Sequence, residues 1–316
     1  MKKKPLIVLT GPTAVGKTAL SILLAKAVNG EIISADSMQV YKEMDIGSAK
    51  IRPEEMCGVP HHLIDVFSPD EEFNIVKFQE LAKQAMEKIY SAGKIPIIAG
   101  GTGFYIQSVI YDIAFEENDE GKEYRTYLEN IASTPNGEIK LHEMLKEVDP
   151  VSAEMIHANN VKRVIRALEF YEETKAPISE HNKEQREKES PYNFCYFVLN
   201  DDRDKLYKNI DIRVDKMLEE GLVFEVKALH EKGYTKDMVS MQGLGYKEIL
   251  DYLNGEISLD RAVYLIKRDT RHFAKRQLTW FRREKEVEWV NKPDLDYDNQ
   301  KIIEYMLTKL KEKDIL

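Results

Sequence analysis

No stretch of these 316 residues is apolar for anything near the roughly 20 positions that a membrane-spanning helix needs. Cysteine is almost absent. Cys57 and Cys195 are the only two, too few for a disulfide framework and at no metal-site spacing, so both read as buried thiols. No internal repeat or low-complexity tract interrupts the chain. Positive charge is in deficit, with 46 Lys and Arg against 55 Asp and Glu for a formal charge of −9, which excludes indiscriminate nucleic-acid binding but leaves room for a local basic patch. Lys2 to Lys4 are followed by a strand and not by a signal-peptide apolar segment, so the N-terminus reads as mature and the protein as cytoplasmic. The 43% hydrophobic content suffices for a substantial core, arranged as a main domain plus a smaller unit.

The apolar run Leu6 to Leu9 leads into Gly11, Pro12, Thr13, Ala14, Val15, Gly16, Lys17 and Thr18, which fill every fixed position of a phosphate-binding loop and open into a helical pattern. In such a loop backbone N–H groups turn toward phosphate oxygens, the lysine supplies a mobile charge, and the threonine hydroxyl holds Mg²⁺. Kinases, NTPases and some transferases share this loop, so it does not identify the group transferred.

Ala19 to Val28 is expected to form the helix after the loop, stopped by Gly30, with a second strand over Glu31 to Ser34. Strand ends face the ligand crevice in open parallel sheets, which makes Asp36 a site candidate. A helix with Ile75, Phe78, Ala82, Ala85, Met86 and Ile89 on one face precedes another short strand, Ile95 to Ala99. That strand ends in Gly100-Gly101-Thr102-Gly103, a turn that admits close approach of a ligand to the backbone, with Thr102 as a second candidate. From Glu116 to about Pro191 the chain is polar, charge-rich and helical in pattern, as a helical insertion would be; Asp149-Pro150 and Asn160 mark helix starts. Lys162, Arg163 and Arg166 crowd one helix N-terminus, against its dipole, which suits an anionic partner. Phe194 to Leu199 and Val287 to Val290 read as further sheet strands. Between them Leu206, Ile210, Val214 and Met217 form an apolar helix face with Arg213 off it, placed to clamp phosphate.

From Ser258 to about Lys285 a single helix gathers Arg261, Arg268, Arg271, Lys275 and Arg282, with Tyr264, into one sector. Ala262, Val263, Ile266, Phe273, Ala274, Gln277 and Phe281 oppose them. A stripe of one sign without acidic partners suits a phosphodiester backbone, RNA or DNA, more than a solvated surface. His61 and His62, with no further ligand at metal spacing, read as strand-edge residues, and Asp65 as an outlying candidate for steadying Mg²⁺.

The phosphate loop, Ser34-Ala35-Asp36-Ser37-Met38-Gln39-Val40-Tyr41, Gly58-Val59-Pro60-His61-His62-Leu63-Ile64-Asp65, Gly100-Gly101-Thr102-Gly103-Phe104-Tyr105 and Lys275-Arg276-Gln277-Leu278-Thr279-Trp280-Phe281 occur in the order and spacing of the bacterial tRNA dimethylallyltransferase family, which the chain resembles through nearly its whole length. The resemblance implies a P-loop NTPase-like, doubly wound α/β sheet at 1–115 and 192–316 carrying C-terminal tRNA-binding helices, with a helical insertion at 116–191 that contacts tRNA. It implies transfer of the dimethylallyl group of dimethylallyl diphosphate to the N6 amine of the adenine 3′ of the anticodon, with diphosphate released and Mg²⁺ as cofactor. Asp36 would be the base, Thr102 would orient the amine, and Lys17 and Arg213 would hold the diphosphate. Asp36, Ser37, Met38 and Gln39, then Lys162, Arg163, Val164, Ile165 and Arg166, then Gln242, Gly243, Leu244, Gly245, Tyr246 and Lys247, match segments that hold tRNA in that family. Arg125, Arg268, Arg271 and Lys275 join them as tRNA-binding candidates. No obligate protein partner is evident. The rival readings are a nucleotide-dependent small-molecule kinase, which leaves the basic stripe idle, and a non-catalytic RNA-binding protein with a vestigial nucleotide site.

Overall fold

The computed structural model of the protein describes residues 3–115 and 122–316. Met1, Lys2 and 116–121, where the expected start of the insertion at Glu116 falls, lie outside them. The chain divides into two compact units, Met1–Ile110 with Pro191–Leu316, and Tyr111–Ser190.

The first unit is built on a six-stranded sheet of β1 (Lys4–Thr10), β2 (Gly30–Ala35), β3 (His61–His62), β4 (Ile95–Gly100), β5 (Tyr192–Asn200) and β6 (Val287–Asn291). The strand order is β3-β2-β4-β1-β5-β6, and every pairing is parallel. Buried on both faces, the central strands are continuous apolar runs without polar alternation. Ile7, Leu9, Ile32, Ile97, Cys195, Phe197 and Leu199 pack into one core cluster with Leu20, Leu24 and Val28 of α1 (Lys17–Val28). The intervening Leu6, Val8, Ile33, Ile98 and Val198 are equally buried, on the side where α2 (Ile75–Ser91) packs against β2, β4 and α3 (Gly103–Ile110).

The structure departs from two local expectations. Helix α1 is ended by Asn29 in the left-handed region (φ 52), whose side chain tolerates that conformation, and Gly30 is already the first residue of β2. Cys57 is exposed while Cys195 is buried. Cys57 sits in a turn at positive φ beside Gly58, a surface position that a composition argument does not see.

The second unit consists of α4 (Lys122–Ala132), α5 (Gly137–Val148), α6 (Pro150–Met155), α7 (Val161–Thr174) and α8 (Ile178–Glu187). Its own core holds Leu128, Leu141, Leu145, Val164, Ile165 and Leu168. Asp149 caps α6 by accepting the Ser152 N–H, and Pro150 occupies the first turn. Asn160 precedes α7, but its side chain caps nothing; its carbonyl accepts the Arg163 and Val164 N–H groups instead.

Returning to the first unit, β5 leads into α9 (Arg203–Glu219), α10 (Leu222–Glu231), α11 (Tyr246–Leu253), the long α12 (Leu259–Phe281) and, after β6, α13 (Asn299–Glu312). Ser258 caps α12 by accepting the Arg261 N–H. Ile302, Met306 and Leu310 of α13 complete the core cluster around α1.

Candidate active site

Register sets the site. Thr10 and Ala35 both pair with Gly100, so β1, β2 and β4 end level, and the next residues, Gly11, Asp36 and Gly101, emerge together at the carboxyl edge. Within the phosphate loop the Thr13 N–H is taken by Gln277 Oε1 at 2.9 Å and the Val15 N–H by the Pro12 carbonyl. Pro12 has no N–H to give. The N–H groups of Gly11, Ala14, Gly16, Lys17 and Thr18 have no acceptor among the described residues. The last four lie at the positive end of the α1 dipole. Lys17 Nζ donates to the carbonyls of Gly11 (3.0 Å) and Pro12 (2.8 Å).

A cavity of ≈ 710 Å³ opens over this loop. It brings together Lys17, Thr18, Asp36, Ser37, Met38, Gln39, Thr102, Arg213, Gln242, Gly243, Leu244 and Lys247, residues drawn from five separate parts of the chain. Among the described residues Asp36 is the only carboxylate lining it, against the cations Lys17, Arg213, Lys247 and Arg276. Asp36 Oδ1 accepts the Met38 N–H at 2.9 Å and, more weakly, that of Gln39; Oδ2 has no hydrogen bond among the described residues. Burial first, and then the neighbouring Arg213 guanidinium, push the Lys17 ammonium down to about 7, with Asp36 pulling the other way. Arg213 is lowered by burial and likewise supported by Asp36; its Nη1 lies 3.5 Å from Thr13 Oγ1. The Thr102 N–H bonds the Ala35 carbonyl, and its own carbonyl caps α3.

The glycine-rich turn reaches the cavity at Gly101 and Thr102, but its glycines also make room for protein. A Cβ on Gly101 would stand 2.2 Å from Gln277 Nε2, and one on Gly103 2.3 Å from the Trp280 ring, so protein side chains already fill that room. Sequence reasoning also missed part of the cavity wall. Ile266, Thr270, Phe273 and Gln277 line it from α12, and Asn209, Ile210, Val214 and Met217 from α9. On α12 a spacing of four, three and four joins them; Ile266, Phe273 and Gln277 read from sequence as the buried face, and Thr270, being polar, carries no apolar signal. Gln277 spans two strand ends, accepting from Thr13 and donating to the Gly101 carbonyl at 2.9 Å.

Other candidates stand elsewhere. Val164 and Ile165 are buried in the insertion core and are not open to a nucleic acid, whereas Lys162, Arg163 and Arg166 beside them are exposed. Arg125 is engaged by the buried Glu169, Nε to Oε1 at 3.0 Å, so its charge already has a structural use. Gly245 and Tyr246 are buried; the Tyr246 hydroxyl donates to Glu225 Oε1 at 2.8 Å, and only their neighbours Gln242, Gly243, Leu244 and Lys247 face the cavity. The stripe on α12 does have acidic partners. Arg268 pairs with Asp269 at 2.7 Å, Arg271 with Asp211 of α9, and Arg261 lies over the Tyr264 ring. Lys275 is exposed with no acidic partner among the described residues. Asp65 is held by Lys50 at 2.6 Å and does not line the cavity, while His62 Nε2 lies 2.7 Å from Glu31 Oε2.

The model of the IPP transferase family matches residues 39–284. A tRNA dimethylallyltransferase of Lachnoclostridium phytofermentans is 64% identical over 313 residues, 99% of each chain, and one of Acetivibrio thermocellus is 56% identical over 297 residues, 94% of each. Among solved structures, the full-length tRNA isopentenylpyrophosphate transferase of Bacillus halodurans matches with a TM-score of 0.74 at 44% identity, covering 99% of this chain and 98% of that one. A eukaryotic dimethylallyltransferase acting on tRNA matches with a TM-score of 0.77 at 32% identity, over 91% of this chain and 74% of its own.

Proposed function

The chain belongs to the IPP transferase family and carries tRNA dimethylallyltransferase activity, and from that premise we propose how its cavity performs the transfer. Dimethylallyl diphosphate binds with its diphosphate on the N–H groups of Ala14, Gly16, Lys17 and Thr18. Lys17 and Arg213 flank it. The nucleophile is the N6 amine of the adenine 3′ of the anticodon, swung out of its stack because a stacked base does not reach a recessed centre. The amine nitrogen bonds to the allylic carbon as the C–O bond breaks. The electron pair leaves with the diphosphate, and the amine proton passes to Asp36.

The amine lone pair is delocalised into the ring, so a base that takes its proton as the bond forms contributes roughly 10²–10⁴-fold. Asp36 is the one carboxylate of the cavity among the described residues, and this observation carries the assignment. Charge building on the leaving oxygens meets preorganised donors, and in its presence Lys17 becomes fully cationic. Thr102 orients the amine. The apolar side chains of Ile210, Val214, Met217, Ile266 and Phe273 suit a five-carbon allylic group and keep water from it. Met38, Gln39, Gln242, Leu244 and Lys247 are the tRNA side of the cavity in this reading.

The donor set fits Mg²⁺. No group of three or more acidic, His or Cys side chains stands ready to cage a metal among the described residues, and Thr18 is an exposed hydroxyl at the loop's end. That suits a cation that takes one or two protein oxygens and fills its shell with phosphate oxygens and water. Bound to Thr18 and the diphosphate, Mg²⁺ would neutralise charge on the leaving group.

The test is mass analysis of nucleosides from unmodified tRNA incubated with the protein and dimethylallyl diphosphate, without ATP. Adenosine should gain one dimethylallyl group. Dependence on ATP hydrolysis would return the loop to a kinase, and tRNA binding without modification would make the protein a non-catalytic binder. No helix among the described residues is long and apolar enough to cross a membrane.

A further inference from the structure

The connection after β6 reaches back to the phosphate loop. Lys292 follows β6 directly, and its Nζ donates to the Val15 carbonyl at 3.0 Å, close enough to the loop that a Cβ on Gly16 would stand 3.3 Å from it. A trans peptide is planar, with C=O and N–H on opposite sides. Holding the Val15 carbonyl therefore fixes the Val15–Gly16 peptide plane and aims the Gly16 N–H the other way, among the unpaired donors of the cavity. The lysine is itself braced. Its N–H bonds the Asn200 carbonyl at the end of β5, and its carbonyl accepts the Tyr297 N–H, closing the turn over Pro293–Leu295. Asp201, buried to 7% exposure, supports the charge of Lys292 against the burial that depresses it. The Tyr297 ring centroid lies 5.8 Å from the lysine Nζ.

We infer that Lys292, backed by Asp201, is a positioning residue of the diphosphate site: it locks the Val15–Gly16 peptide so that the Gly16 N–H faces the phosphate. The ligand never touches Lys292 in this arrangement; the lysine acts through a peptide plane. Gln277 does the same for the Pro12–Thr13 peptide from the other side, its Oε1 accepting the Thr13 N–H while Lys17 takes the Pro12 carbonyl. Two side chains remote in sequence thus set the orientation of two peptides in an eight-residue loop.

This inference rests on the diphosphate reading of the loop, and the experiment separates the two. Inorganic pyrophosphate and tRNA affinities are measured by calorimetry and filter binding, with steady-state kinetics in dimethylallyl diphosphate, for the wild type, Lys292→Met, Lys292→Arg, Asp201→Asn and Lys17→Ala. Lys292→Met should weaken pyrophosphate about tenfold and raise KM for the allylic substrate, while tRNA affinity stays within twofold and the melting temperature within a few degrees. Lys292→Arg should restore most of the loss, since a guanidinium also donates to a carbonyl. Asp201→Asn should lose part of it. Unchanged pyrophosphate affinity in Lys292→Met, with Lys17→Ala impaired, overturns this inference alone. Unchanged affinity in both overturns the diphosphate assignment and this inference with it. Equal loss of pyrophosphate and tRNA binding with a lowered melting temperature makes Lys292 a structural residue only.

Discussion

Asp36 and Lys17 carry opposite demands on one cavity, and each can be tested by removing one property. Asp36→Asn keeps the shape and the oxygen that accepts the Met38 N–H but removes the proton acceptor. Turnover should fall at least about a hundredfold, with tRNA affinity within a few-fold; retained turnover in single-turnover assays would move the base elsewhere. Lys17 is depressed to about 7 by burial and by Arg213, so at pH 8 the empty site holds it largely neutral. A bound diphosphate favours the ammonium. Pyrophosphate binding at pH 8 should therefore take up close to one proton, and at pH 6 almost none, read by calorimetry in buffers of different ionisation enthalpy. The same uptake in Lys17→Met would assign the proton to the ligand. The sign for stability follows: because the folded value lies below the ordinary 10.5, the unfolded chain holds the extra proton between those limits. The empty protein gains stability as pH rises from about 7 to 10.5.

At the scale of elements, α12 shows what a helical projection reads and what it omits. The apolar face, the capping Ser258 and the segregation of basic residues were legible from spacing. Of the acids that neutralise the stripe, Asp269 is the sequence neighbour of Arg268 and stands on the same helix, whereas Asp211 belongs to α9, sixty positions away, and a projection of one helix carries no information about its neighbour. Gln277 and Lys292 were missed for the same reason: a residue that fixes another segment's peptide leaves no local periodicity. The phosphate loop, by contrast, is contiguous, and so are the strand ends that carry Asp36 and Thr102. The pairing of the stripe sharpens its RNA test. Lys275→Gln should lower the slope of log K for tRNA against log salt by about one unit, whereas Arg271→Gln, whose charge Asp211 already offsets, should change it less. Equal effects would mean that tRNA displaces Asp211. In the insertion, Asp149 Oδ1 accepts the Ser152 N–H and the Ser179 hydroxyl, and Oδ2 the Ser179 N–H. One carboxylate thereby secures α6 and the start of α8. Burial raises its pKa, but these hydrogen bonds outweigh that and hold it below 3.8, so its stabilisation is present above that pH and lost as acid protonates it. Asp149→Ala should cost about 1–3 kcal/mol, seen as early loss of amide protection in α6 and α8.

For the whole molecule, the puzzle is how a chain of net charge −9 holds a polyanion. Attraction has to be local, and among the described residues the candidate cations that are exposed without an ion pair include Lys162, Arg163 and Arg166 on the insertion and Arg261, Lys275 and Arg282 at α12 and its end. The two units have separate cores, and every residue lining the cavity belongs to the first. Moreover β4, α3 and β5 form a complete parallel crossover, with the insertion spliced into its last connection. Catalytic pocket and insertion should then be separable. Replacing 111–190 by a short Gly/Ser linker should leave a cooperatively folding protein that binds pyrophosphate within about threefold of the full chain, because none of the loop donors, Lys17, Arg213 or Lys292 is touched. Its tRNA affinity should fall at least tenfold, and its salt slope by about three units if the three α7 cations each neutralise a phosphate. Lys162, Arg163 and Arg166 all replaced by Gln in the full chain should reproduce that change in slope without the deletion. If the shortened protein binds tRNA with the original slope, the polyanion is held by the sheet-bearing unit alone, and the positive charge at the start of α7 is a solvated surface.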